Sequence, residues 1–237
     1  DDTLEKRGVT NERNRPVFAI MNPELTYSLP RYQVAAGVTD IIMHTLERYF
    51  TPWQGNHMSD AIAEGLIGTM LKYGPKGVEN THDYEAMSEI MWAGSLSHNN
   101  LTGLGGKKDF SVHQFGQAIG EKFDIYHGET LSAMWASYAR YVAPTNFARF
   151  AQYARKVWGI VEADDEKAAM AGIDATEAYF KRLGMPVRIA ELSCGAQDEV
   201  GLNDLALRCS RNRGRTIGSF RVLDFEDMLN VYQMANK

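Results

Sequence analysis

Apolar residues return every three or four positions along most of this chain, with polar residues between them, and that period belongs to helices whose one face is buried. The longest such stretch, Tyr32 to Phe50, is predicted as a helix stopped by Pro52. Ser59 is placed to cap a helix reaching Lys72, ahead of the Gly74-Pro75 pair, and Asp83 to open one running to His98. Further helices are predicted from Asp109 to Lys122, from Gly128 to Val142, and after Thr145 in NFARFAQYARKVWGI, where Phe147, Phe150, Ala151 and Ala154 share a face. Asp164 to Leu183 follows, closed by Gly184 and Pro186. Asp224 caps a last helix whose stripe is Phe225, Met228, Leu229 and Tyr232. One segment breaks the period: Val17 to Met21 (VFAIM) is a continuous apolar run before Asn-Pro and reads as a short buried strand. The fold class expected is mostly α, a multi-helix bundle with that strand at its N-terminal end.

Composition narrows the function without naming it. The 237 residues, 44% of them hydrophobic, supply ample material for a packed core. A net charge of −5 argues against nucleic acid as a partner. Arg211, Arg213 and Arg215 cluster in a loop, where such residues are ordinarily solvated; contact with a nucleotide or a neighbouring subunit is the sharper reading. No apolar run approaches the roughly 20 residues that cross a bilayer. Cys194 and Cys209 are too far apart for a local metal pair, and a reduced, cytoplasmic setting fits them. Of the tryptophans, Trp92, Trp135 and Trp158 are expected in the core, while Trp53 lies in a loop and is the one placed to reach a pocket.

Asp40 and His44 stand four residues apart in a predicted helix and so project from one face. Such a pair often arises by chance. His113 and His127 are fourteen positions apart, which on one straight helix means about 21 Å. A helix ending near Phe123, a turn through Asp124, and a new helix beginning near His127–Gly128 would let both face one point. Three imidazoles and a carboxylate suit borderline divalent ions, Zn²⁺ or Fe²⁺, and suit Ca²⁺ poorly. His57, His82 and His98 are expected to be ordinary loop or helix-end residues.

Three segments carry a resemblance: PVFAIMNPELTYSLPRYQVAAGVTDIIMHTLERYF, HQFGQAIGEKFDIYHGETL and RNRGRTIGSFRVLDFEDMLNVYQMA. From about Pro16 to its end the chain resembles the metal-dependent (group III, iron-containing) alcohol dehydrogenases, in particular the bacterial butanol dehydrogenases. The resemblance implies one divalent metal, Fe²⁺ or Zn²⁺, held by Asp40, His44, His113 and His127. It also implies NAD or NADP as cofactor, a small alcohol or aldehyde as substrate, and a homodimer when full length. The fold implied is the C-terminal metal-binding domain of the dehydroquinate synthase-like/iron alcohol dehydrogenase fold. Residues 27–237 would form that helical metal- and substrate-binding domain, and residues 1–26 a remnant of the nucleotide-binding domain.

Two departures from the family pattern matter. Gly103, Gly105 and Gly106 follow a helix rather than a strand and do not have phosphate-loop spacing, so cofactor-binding residues are unassigned and the chain is expected to be a C-terminal portion that is inactive alone. Many relatives carry a histidine one helical turn after the third ligand; here Gln117 stands there, either a pocket residue that orients water or the nicotinamide or a residue of the helix surface, and in neither case able to shuttle a proton near neutral pH. Other readings are a dehydroquinate synthase-like lyase and a non-catalytic helical metal-binding module. Lys107 and Lys108 are the only basic pair near the ligands to serve the phosphorylated substrate of a lyase.

Overall fold

The computed structural model describes residues 11–53 and 55–237; of the nucleotide-domain remnant expected over residues 1–26, residues 1–10 lie outside the described residues. Nine α-helices are present among the described residues: α1 (Arg31–Tyr49), α2 (His57–Glu79), α3 (Tyr84–His98), α4 (Ser111–Phe123), α5 (His127–Val142), α6 (Phe147–Trp158), α7 (Asp165–Arg182), α8 (Glu199–Cys209) and α9 (Phe225–Ala235). No sheet forms among them; an isolated antiparallel bridge joins Ile217 and Leu223.

Local chemistry sets most of the helix starts. Asp83, Asn146, Asp164, Asp198 and Asp224 each accept a hydrogen bond from a first-turn backbone N–H. Asp224 and Asp227 do so reciprocally, as a capping box. The middle of the bundle is α5, packed against α1, α4, α7 and α9. From Gly128 to Ala139 its residues are buried, with Trp135 wholly so. Burying one large side chain of this kind contributes on the order of 2–3 kcal/mol.

The structure corrects four expectations. Residues 17–21 form no strand, and Val17, Phe18 and Ile20 are exposed; a strand needs a neighbour to satisfy its backbone, and none of the described residues supplies one. The helix expected to stop at Lys72 continues through Gly74 and Pro75 to Glu79. An internal proline costs about 3 kcal/mol, but here packing offsets it: Gly74 fits beneath Val38 and Tyr179, and Gly77 beneath Ile90 and Met87. The segment α8 was not expected, because Gly201 in its first turn and its short length hide the period. Trp92 is 52% exposed rather than in the core, whereas Trp135 is buried and Trp158 packs against the core, its indole N–H donating to Tyr153 Oη at 3.1 Å.

Candidate metal centre

Three helices meet at the predicted ligands. Asp40 and His44 sit one turn apart on α1, His113 in the first turn of α4, and His127 opens α5. The turn expected between the two histidines is present: α4 ends at Phe123, Asp124 takes a left-handed backbone (φ 53°), and α5 begins at His127. Two glycines make the close approach possible. A Cβ on Gly128 would lie 2.5 Å from the carbonyl oxygen of Ala36 and 2.8 Å from its Cα, so the start of α5 is seated directly on the α1 backbone. A Cβ on Gly116 would lie 2.6 Å from Thr130 Oγ1, which sets α4 against α5.

Asp40 Oδ1 is the focus. Nε2 of His44, His113 and His127 lie 3.6, 3.5 and 3.6 Å from it. Ligand atoms of Asp40, His44 and His113 fall within 4.8 Å of one another, and His127 joins through Asp40. Both Asp40 Oδ1 and His113 Nε2 are buried without a hydrogen-bond partner, a state that buried polar groups avoid unless something else satisfies them. Metal–ligand bonds of about 2.0–2.2 Å in a tetrahedral arrangement place neighbouring donors about 3.3–3.6 Å apart. The observed spacings match that edge length, so the residues present fit a divalent ion.

The surroundings decide which nitrogen faces the ion. Glu47, one further turn along the same face of α1 and buried, accepts from the backbone N–H groups of Val112 and His113 through Oε1 and from His113 Nδ1 through Oε2. Three donors converge on it, which favours the carboxylate over the acid although burial pushes its pKa up. His113 therefore always holds a proton on Nδ1, and Nε2 is the nitrogen it presents to Asp40. Burial would lower the His113 pKa, but the charges of Glu47 and Asp40 outweigh it and raise it to about 9, so without an ion Nε2 also holds a proton, which a bound ion replaces. Asp40 is likewise opposed by burial, yet the imidazoles facing it, those of His113 and His98 foremost, hold its carboxyl well below the usual range. For His44, burial and the neighbouring His113 charge lower the pKa to about 2.

The His44 ring differs from that of His113. Its Nδ1 lies 3.0 Å from Arg48 Nη1, which can only donate, so the ring's own proton sits on Nε2 and points at Asp40. A cation bound at Nε2 requires the other tautomer: the ring proton moves to Nδ1, and Arg48 keeps its bond to the His44 carbonyl. Arg48 is itself buried, donating to the His44 carbonyl at 2.6 Å and lying over the Phe110 ring.

Sequence reasoning missed two members of this cluster. Glu47 was legible as the i+7 partner of Asp40. His98, the last residue of α3, was read as an ordinary helix-end residue; its Nε2 lies 3.4 Å from Asp40 Oδ2 and its ring 3.8 Å from that of His44. Gln117 is half-buried, one turn beyond His113 on α4. Trp53 lines a cleft with His57, Asp60 and Arg149 that contains none of the four predicted ligands. Arg213 stacks on Phe225 at 3.6 Å and pairs with Glu226, and Arg215 donates to the Cys209 carbonyl, so these arginines brace the turn after α8. No helix among the described residues is long and apolar enough to cross a membrane.

An all-helical domain whose centre is one carboxylate ringed by imidazoles is the frame in which comparison with known proteins becomes informative. The chain belongs to the Fe-containing alcohol dehydrogenase family, whose C-terminal part matches residues 34–236. It is 36% identical over 236 residues to NADH-dependent butanol dehydrogenase A of Clostridium acetobutylicum, covering 99% of this chain and 60% of that protein. It is 33% identical over 189 residues to the NADPH-dependent aldehyde reductase YqhD of Escherichia coli, covering 80% of this chain and 49% of that one. Among solved structures, Escherichia coli YqhD superposes with a TM-score of 0.93 at 29% identity, over 99% of this chain and 59% of that chain. NADH-dependent butanol dehydrogenase A of Thermotoga maritima gives 0.92 at 27% identity, over 100% and 60%. The chain thus spans 60% of the length of the Clostridium relative.

Proposed function

We propose that this chain is the metal- and substrate-binding part of an NAD(P)-dependent alcohol dehydrogenase or aldehyde reductase, with Asp40, His44, His113 and His127 holding one divalent ion, Fe²⁺ or Zn²⁺. The observation that carries the reading is the set of three Nε2 atoms 3.5–3.6 Å from Asp40 Oδ1, with that oxygen and His113 Nε2 buried and unsatisfied. Residues 27–237 are the helical domain, and residues 1–26 belong with the nucleotide-binding part. The exposed, unpaired apolar side chains of Val17, Phe18 and Ile20 support that division.

When bound, the ion supplies a Lewis acid for the oxygen of a small alcohol or aldehyde, and NAD or NADP supplies or takes the hydride. Glu47 engages the Nδ1 proton of His113, so Nε2 is the nitrogen that would bind the ion. Asp40 offsets positive charge among the imidazoles. Gln117 can orient a polar partner by donating and accepting but does not move a proton at neutral pH. Proton exchange with substrate therefore needs solvent or another group.

Equilibrium dialysis of the chain against Zn²⁺ and, anaerobically, Fe²⁺ tests this. One tightly held ion in the native chain, much weakened in His113→Ala and Asp40→Asn, is expected. Native chain that binds no ion would overturn the reading. Robust NAD(P)H-dependent reduction of an aliphatic aldehyde by this chain alone would contradict the assigned division of labour.

A further inference from the structure

We propose that His98 is a fifth donor directed at the cation position, so that this chain's metal site is built from four imidazoles and one carboxylate. The proposal rests on the reading that Asp40, His44, His113 and His127 hold a divalent ion.

Placement is the first support. α3 packs against α1, and its last residue brings the His98 ring beside His44, with Nε2 3.4 Å from Asp40 Oδ2. The other three histidines address Oδ1, so His98 approaches the carboxylate through its second oxygen.

Hydrogen bonding is the second. His98 Nδ1 lies 2.9 Å from the carbonyl oxygen of Gly94. A carbonyl can only accept, so Nδ1 carries the proton. Ser97 Oγ, 2.8 Å from the same nitrogen, donates to that carbonyl at 2.9 Å and thus closes the network without needing Nδ1 as an acceptor. In the neutral ring Nε2 is left with a lone pair, aimed at a carboxylate oxygen. Two acceptors facing each other at 3.4 Å repel unless a proton or a cation lies between them, and a cation shared with the neighbouring imidazoles serves both. His113 is arranged in the same way, its Nδ1 proton engaged by Glu47 and its Nε2 turned inward. One purpose, delivery of a lone pair to a shared cation, accounts for both rings.

A fifth donor changes which ion the site favours. Zn²⁺ is satisfied by four ligands in a tetrahedron, whereas Fe²⁺, Co²⁺ and Ni²⁺ accept five or six. His98 therefore biases the site away from Zn²⁺.

Co²⁺ is the probe, because its visible absorption is far stronger in four-coordinate than in five- or six-coordinate sites. The full chain is titrated with Co²⁺ and with Zn²⁺, alongside His98→Leu, His98→Gln and His113→Ala. His98 is 42% exposed, so the native fold is expected in both of its variants, checked by circular dichroism. Weak visible bands are expected in the native chain and intense bands in both His98 variants. Co²⁺ affinity should fall on the order of 10-fold in those variants, and Zn²⁺ affinity by less. Unchanged bands and affinities in the His98 variants, with binding lost in His113→Ala, overturn the fifth donor alone. Co²⁺ binding by His113→Ala equal to native overturns the four-residue site beneath it.

Discussion

Glu47→Gln isolates orientation from packing. The amide has nearly the shape of the carboxylate, and its oxygen retains the place of Oε1, where the backbone N–H groups of Val112 and His113 require an acceptor. The NH₂ group must then occupy the place of Oε2, facing His113 Nδ1. Two N–H groups cannot face each other, so the His113 proton moves to Nε2 and points into the cluster at Asp40, where a lone pair is needed. The loss is larger than that of an ordinary supporting hydrogen bond, and metal affinity is expected to fall by at least about 10–100-fold. Stability changes less. A charge-assisted bond worth about 1.5–3 kcal/mol is replaced by a neutral one, while removing a buried charge offsets part of that. Competition with a chromophoric chelator reads the affinity and urea unfolding reads the stability. Native affinity in a folded Glu47→Gln chain would refute the argument that Glu47 sets the tautomer.

Other outcomes follow from the same geometry. Gly128→Ala drives a Cβ into the Ala36 backbone; overpacking of about 1–3 kcal/mol and weaker metal binding are expected together, and calorimetry showing native values for both would discount the seat of α5 on α1. Trp135→Ala, at a wholly buried position, should cost about 3–5 kcal/mol in chemical denaturation. Asp60, opposed by burial but held low by Arg149, and Glu177, opposed by burial but held low by Arg140 and Arg188, are both depressed. Their stabilisation is therefore full above the unfolded carboxylate values of about 3.9 and 4.3 and is lost as pH falls through the lower folded values. Asp60→Asn should flatten the acid limb of a stability–pH profile, and an unchanged limb would exclude that pair as a contributor. Zn²⁺ at a hundredfold its dissociation constant should raise stability by about 2.7 kcal/mol, and a thermal shift of equal size in Asp40→Asn would place the ion elsewhere.

What the sequence made legible was local. Asp40 and His44 share a face because a helix repeats every 3.6 residues, and the break at Asp124 was visible between two periodic segments. Continuation of α2 through Pro75 was not, because the decision rests on Gly74 and Gly77 fitting under residues of α1, α3 and α7. The VFAIM run has the composition of a buried strand, and only the three-dimensional arrangement shows that no strand lies beside it among the described residues. His98 was overlooked for a related reason: at the end of α3 it has no ligand-like spacing to any other histidine, and its approach to Asp40 arises from the packing of α3 on α1. Glu47 could have been found by extending the Asp40 face by one more turn.

The gradient of exposure across the cluster has a kinetic consequence. His98 and His127 are about two-fifths open to solvent, whereas His113 is 12% exposed and its partner Glu47 is sealed. An ion arriving from solution meets the open imidazoles first and reaches His113 last; on leaving, it parts from them first. Release then proceeds donor by donor with the helices in place, and a chelator can enter at the open edge and take over each vacated position. Stripping should accelerate with chelator concentration rather than wait on an unfolding event, so the bound lifetime of the ion is governed by its competitors as much as by the protein.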